Sequence, residues 1–132
     1  MPQQVLTDEI REFFDDYNRT FAERDGAAIS MFYSVTSLSM RGDRSIHCFQ
    51  SREELAAFFQ EVTDRYEREG ASGARFLDLA VQPIGGRSVL ATLEWQNTRP
   101  DGSVVRKWRH SYNLIRPDDR WQIFVSTFHV EL

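Results

Sequence analysis

The sequence predicts an α+β fold in which N-terminal helices cover one face of a curved, largely antiparallel sheet. Three observations predict it. Amphipathic stripes at helical spacing are confined to the first half of the chain, and long alternating segments joined by hairpin turns fill the second half. The 132 residues, 41% hydrophobic and 13% aromatic, suit one domain (1–132) with one core.

Residues 7–24 carry Ile10, Phe14, Tyr17 and Phe21 on one helical stripe, with Thr7 as the expected N-cap and Asp8 and Glu9 in the first turn. Gly26 ends this segment, and Asp25 is placed to cap a short helix through Ala28, Ile29 and Phe32. Residues 35–40 and 44–49 read as short strands around the turn Arg41-Gly42-Asp43. Ser51-Arg52-Glu53-Glu54 is a capping box, and Leu55, Phe58, Phe59, Val62 and Tyr66 form the apolar stripe of the helix it starts; Gly70 closes it. Strands at 75–83, 87–98, 104–116 and 120–130 follow, separated by Gly85-Gly86, Pro100-Asp101-Gly102 and Pro117-Asp118-Asp119.

Turn chemistry sets the expected register. A three-residue loop pairs Arg99 with Ser103, and a two-residue Gly85-Gly86 turn pairs Ile84 with Arg87. The inner face then holds Leu77, Leu79, Val81, Leu90, Thr92, Glu94, Trp108, His110, Tyr112 and Leu114, joined by Trp121, Ile123, Val125, Thr127 and His129. The outer face holds Phe76, Leu93, Trp95, Phe124 and Phe128, an apolar set that predicts a two-fold homodimer interface through Leu93, Trp95, Phe124 and Phe128. A four-residue loop at Arg99–Val104 would slip this strand by one residue, turning Leu93 and Trp95 inward and Glu94 outward beside Arg109.

The order of elements resembles the nuclear transport factor two-like superfamily, its SnoaL-like group most closely. The residues that carry the resemblance are Ser51-Arg52-Glu53-Glu54-Leu55-Ala56-Ala57-Phe58-Phe59, Asp119-Arg120-Trp121-Gln122-Ile123, and Phe14, Tyr17 and Phe21 leading to Arg24-Asp25-Gly26. The resemblance covers essentially the whole chain. It implies a cone-shaped half-barrel with a pocket at its wide end and a dimer through the outer sheet face. Known members isomerise ketosteroids, dehydrate scytalone, cyclise polyketides or only bind, so fold alone assigns no chemistry. Ketosteroid isomerases place an oxyanion-binding tyrosine on the first helix, where Tyr17 stands. Their general-base aspartate has no counterpart in Leu38-Ser39-Met40-Arg41.

The expected pocket is therefore apolar with one polar cluster. Glu94 and His110 read either as an acid–base couple, with Tyr17 as oxyanion donor, or as a structural pair. Thr92, Trp108, Tyr112, Trp121, Thr127 and His129 are the expected lining, suited to a small, flat hydrophobic ligand such as a carbonyl compound. The reaction this arrangement suggests is cofactor-independent isomerisation, dehydration or cyclisation, and the alternative is a non-catalytic ligand-binding or dimeric assembly module, or an accessory subunit of a larger enzyme. Neither a metal nor a cofactor is expected, since His47 and Cys48 are adjacent in a strand and point to opposite faces. The net charge of −4 argues against nucleic acid and anionic membrane as partners. The lone Cys48 offers no internal disulfide, and no leader or membrane-length apolar run stands out, so a cytoplasmic location is expected.

Overall fold

The computed structural model describes residues 2–131. Its elements run α1 (Gln3–Ala22), α2 (Gly26–Ser30), β1 (Tyr33–Met40), β2 (Ile46–Phe49), α3 (Arg52–Arg68), β3 (Gly73–Pro83), β4 (Ser88–Thr98), β5 (Val104–Ile115) and β6 (Gln122–Phe128). The strands form one six-stranded sheet in the order β2-β1-β6-β5-β4-β3. β3 to β6 are the antiparallel meander that the turns predict, and β1 joins it parallel to β6. The helices lie against one face of this curled, unclosed sheet, a cone-shaped half-barrel.

α1 begins four residues before the predicted Thr7 cap. Pro2, whose fixed φ suits a helix entrance, stands at the N-cap position, and Thr7 lies inside the helix. The longer helix buries Leu6 together with Ile10, Phe14 and Tyr17. Asp25 caps α2 as expected, accepting from the Ala27 and Ala28 amides at 3.0 and 3.3 Å. Ser51 caps α3, accepting from the Glu54 amide at 3.1 Å. α2 crosses α3 at Gly26, where a Cβ would stand 2.2 Å from the Ala56 carbonyl oxygen; only glycine permits that approach.

The register of the meander departs from expectation, and three bulges are the reason. The loop at Arg99–Ser103 forms as predicted: the Arg99 amide donates to the Ser103 carbonyl at 2.8 Å, and Gly102 takes φ 86°. But Thr98 pairs with Val104 and Asn97 with Arg106, so Val105 is an extra residue beside the turn. From there on Trp95 faces Trp108, Leu93 faces His110 and Glu94 faces Arg109. Leu93, Trp95 and Asn97 are consequently buried inside, whereas Leu90, Thr92 and Glu94 lie on the outer face.

A second bulge in β3 sets Asp78 and Leu79 against Leu93, and the Gly85–Arg87 loop holds three residues, not two. Phe76 therefore packs inward on Phe14 and Trp95, Leu77 points outward, and Leu79 and Val81 reach the core. The third bulge lies in β6, where Leu114 pairs with Ile123 and Asn113 with Val125. Phe124 is the extra residue. Trp121 and Ile123 face inward as predicted, and beyond the bulge Ser126 and Phe128 do so in place of Val125, Thr127 and His129.

Two corrections follow. The predicted interface set of Leu93, Trp95, Phe124 and Phe128 is divided between the two faces; only Phe124 remains exposed outside. The outer face of β4 and β5 is polar instead, with Thr92, Ser111 and His129 linked through contacts of 2.7 Å each. Among the described residues, no helix is long and apolar enough to cross a membrane.

Candidate functional site

The bulges turn a band of aromatic and hydroxyl groups toward the helices at one end of the half-barrel. There α1, α3 and the inner sheet face enclose a cavity of about 470 Å³. Its apolar wall includes Phe21, Phe59, Val62, Trp95, Trp108 and Phe128. Its buried polar groups are Tyr17, Tyr33, Ser39, Asn97, His110, Tyr112 and Ser126.

Five of these, Tyr17, Tyr33, His110, Tyr112 and Ser126, fall in three hydrogen-bonded sets with two indoles. The Tyr17 and Tyr33 hydroxyls meet at 2.7 Å. The Trp95 indole N–H donates to the Tyr112 hydroxyl at 2.8 Å. The Trp108 indole N–H donates to His110 Nδ1 at 3.2 Å, and His110 Nε2 lies 2.6 Å from Ser126 Oγ.

The last set fixes a protonation state. An indole N–H can only donate, so His110 Nδ1 must present its lone pair, and the ring proton sits on Nε2 facing Ser126. Burial favours the same neutral ring. It pushes the His110 pKa down to about 3, helped by the positive charge of Arg41. His110 thus has no free lone pair with which to take a proton. It also does not activate Ser126 as a nucleophile, since the hydrogen bond runs from ring to hydroxyl. Burial likewise holds the Tyr17, Tyr33 and Tyr112 phenols well above their ordinary range, with their mutual repulsion adding to it and Arg41 opposing it.

Each set leaves a hydroxyl proton to offer. Tyr112 and Ser126 already accept one bond apiece, and whichever of Tyr17 and Tyr33 accepts from the other has its own O–H uncommitted. None of these hydroxyls donates to an acceptor in another residue among those described. The Asn97 Nδ2 is buried without a partner as well. A concave apolar site with several unspent donors is complementary to a ligand oxygen that accepts hydrogen bonds.

Of the residues singled out from the sequence, the structure brings Tyr17, Trp108, His110 and Tyr112 to the cavity. Glu94 lies outside, its carboxylate accepting from Gln96 Nε2 at 2.8 Å, so the Glu94–His110 couple does not exist. Thr92, Thr127 and His129 belong to the outer face for the same reason of register. Trp121 lies immediately before β6, packed toward α1, where its indole N–H donates to Glu9 at 3.0 Å. Sequence reasoning missed Tyr33, Arg41, Arg65, Asn97 and Ser126. Asn97 and Ser126 follow the bulges; Arg41 carries a signal, a cation beside Gly42-Asp43, that reads from sequence as a turn alone. Among the described residues, no three His, Cys, Asp or Glu side chains are grouped to hold a metal.

The model of an NTF2-like protein family (DUF6841) matches residues 8–131. No curated protein matches the sequence. Among solved structures, the chain superposes on Aln2 from a Streptomyces species with a TM-score of 0.81 at 13% identity, over 98% of this chain and 94% of that one. An NTF-2 like protein of unknown function from Shewanella oneidensis gives 0.72 at 14% identity, over 92% and 97%. A putative calcium/calmodulin dependent protein kinase II association domain from Xanthomonas campestris gives 0.68 at 15% identity, over 94% and 88%. At these identities the likeness establishes the fold.

Proposed function

The chain belongs to the NTF2-like family DUF6841, and we propose that it uses the open end of this fold to bind a small aromatic or otherwise hydrophobic molecule through an acceptor oxygen such as a carbonyl. The observation that carries this reading is the convergence of uncommitted O–H donors on one cavity of about 470 Å³. Hydrogen bonds from Tyr112, Ser126 and the Tyr17–Tyr33 pair would hold and polarise that oxygen, and the aromatic wall would take the body of the ligand.

Binding is favoured over the proton-transfer chemistry expected of a SnoaL-like enzyme. His110 has both ring nitrogens engaged, Glu94 is outside, and the carboxylates that reach the cavity, Asp43 and Glu69, are bound to neighbours. Asp43 accepts from Ser45, and Glu69 pairs with Arg106 at 3.0 Å.

The test uses 1-acetonaphthone and 1-ethylnaphthalene, which differ in the ketone oxygen. The ketone is expected to bind about tenfold tighter in calorimetric titration, on the scale of one to two hydrogen bonds. Tyr112→Phe should remove most of that difference without weakening the hydrocarbon. Equal affinity for both ligands, or no effect of Ala74→Trp placed to fill the cavity, would refute the reading.

We also propose self-association in place of the interface that the register removed. Leu38, Met40, Ile46, Cys48, Val125 and Thr127 share the outer face of β2, β1 and β6, and no charged side chain interrupts them. An uncharged strip of this kind supports contact with a second copy.

A further inference from the structure

The rim of the cavity opposes the charge of the whole molecule. The chain carries −4, yet the cavity is lined by Arg41, Arg65, Arg106 and Lys107 against only Asp43 and Glu69. Glu69 is taken by Arg106. Arg41 and Arg65 have no carboxylate within the 4.0 Å of an ion pair among the described residues. Both are partly buried, where an uncompensated charge is costly and a ligand anion is correspondingly welcome.

Each guanidinium packs beside an aromatic ring. The backbone of Arg41 is fixed at both ends of the turn after β1: its amide donates to the Ser45 carbonyl, and its carbonyl accepts from the Arg44 amide, both at 2.9 Å. The guanidinium lies 5.0 Å from the Phe58 ring centroid. The nearest carboxylate in sequence, Asp43, is folded back on Ser45, accepting from its amide at 2.9 Å and its hydroxyl at 2.6 Å. Arg65 stands over the Tyr66 ring at 5.5 Å with its Nε buried and unpartnered. Asn97, 4% exposed, brings an unpartnered Nδ2 to the same cavity. Unspent cationic and amide donors at a cavity wall are the arrangement that planar oxyanions select.

We infer that the natural ligand class is an amphipathic organic anion, an aromatic or other hydrophobic carboxylic acid, whose carboxylate is held by Arg41 and Arg65 with Asn97 while its body occupies the aromatic cavity. This rests on the binding reading above and adds to it the charge of the ligand and the residues that select it. Arg41 also projects its positive field onto the buried Tyr17, Tyr33, Tyr112 and His110, so a ligand anion near Arg41 meets a favourable field at both the rim and the hydroxyl cluster.

The test compares 1-naphthaleneacetate with 1-naphthaleneacetamide, of one shape but differing in charge, by calorimetric titration at pH 7.5 and two salt concentrations. The acid is expected to bind at least tenfold tighter at low salt and to lose part of that advantage at high salt, while the amide is unchanged. Arg41→Gln and Arg65→Gln should each bring the acid toward the amide and leave the amide within twofold. Arg41→Lys should retain part of the preference, which separates lost charge from lost folding. If acid and amide bind alike in the wild type, or if Arg41→Gln weakens both equally, the anion inference is wrong and the pocket reading stands. If neither binds, the pocket reading falls and takes this inference with it.

Discussion

At the scale of the residue, His110 makes the sharpest commitments. Its folded pKa of about 3 lies below its ordinary 6.5 because the ring is buried. As the pH falls through 6.5, the unfolded chain takes up a proton at this position that the folded chain refuses. The stability this residue allows is therefore complete above about pH 6.5 and is lost toward pH 3, with a slope of at most ~1.4 kcal/mol per pH unit. His110→Gln should flatten the decline of urea-unfolding stability between pH 6.5 and 4 by roughly 1 kcal/mol per pH unit. Identical slopes in the two proteins would contradict the buried neutral ring. The tautomer is separately testable. Nitrogen NMR is expected to show the proton on Nε2, and Trp108→Phe, which deletes the donor to Nδ1, should convert that signal to a mixture. The phenols give an independent reading of the same environment. Three of the chain's four tyrosines, Tyr17, Tyr33 and Tyr112, are held above the ordinary range. They should stay protonated in an alkaline absorbance titration until the chain unfolds.

At the scale of the element, close approach and register decide what the site contains. Gly26→Ala would drive a methyl group into the Ala56 carbonyl and to 2.7 Å from the Gln60 amide nitrogen. Backbone on both sides leaves nothing flexible to yield, so a loss of about 1–3 kcal/mol in urea-unfolding stability is expected. A change below about 0.5 kcal/mol would mean that α2 and α3 separate freely. The helices were largely legible because their signals are local: Asp25 and Ser51 cap the helices they were expected to cap, and Gly70 ends α3 with φ 93°. The sheet was legible in its strands and turns but not in its faces. The Arg99–Ser103 turn forms as its residues predict, and Val105, one residue past its end, still reverses Glu94 and Trp95. Nothing in Val104-Val105 distinguishes a bulged valine from a paired one. What decides it is long-range: the inward register buries Leu93 and Trp95 against α1, whereas the regular one would bury Glu94. Tyr17 and Tyr112 reach the cavity on the stripe and strand face that their spacing predicts. Ser126 lies beyond the β6 bulge, and Asn97 lies on a regular β4 whose face is set by the Val105 bulge in the neighbouring strand.

At the scale of the whole molecule, the bulges exchange the faces of β4 and of one end each of β3 and β6 while β5 keeps its expected face, and the proposed self-association follows from that change. Of the large aromatic residues that made the outer face look like an interface, Phe76, Trp95 and Phe128 are inside and Phe124 is not. Leu77 and Leu90 stay exposed over β3 and β4, and a contiguous uncharged set lies toward the other edge of the sheet, where Leu38 pairs with Cys48 and Met40 with Ile46. Ile46 is 71% exposed, and with the exposed Leu38 and Cys48 beside it the apolar surface is contiguous. β2 is also the edge strand, with four residues and one side unpaired, so a second copy could cover both its apolar face and its free backbone groups. The polar run of Thr92, Ser111 and His129 lies over β4 and β5 and would be left largely in water. Sedimentation velocity at micromolar concentration is expected to give a dimer. Leu38→Glu with Ile46→Glu should convert it to a monomer, because two like charges per copy would meet across a two-fold axis. Thr92→Glu should leave the dimer intact. A wild-type monomer, or a dimer broken by Thr92→Glu and not by the Leu38–Ile46 pair, would place the contact elsewhere. Ligand affinity in the monomeric double variant separates the two proposals, since every hydroxyl and guanidinium assigned to the cavity comes from one copy.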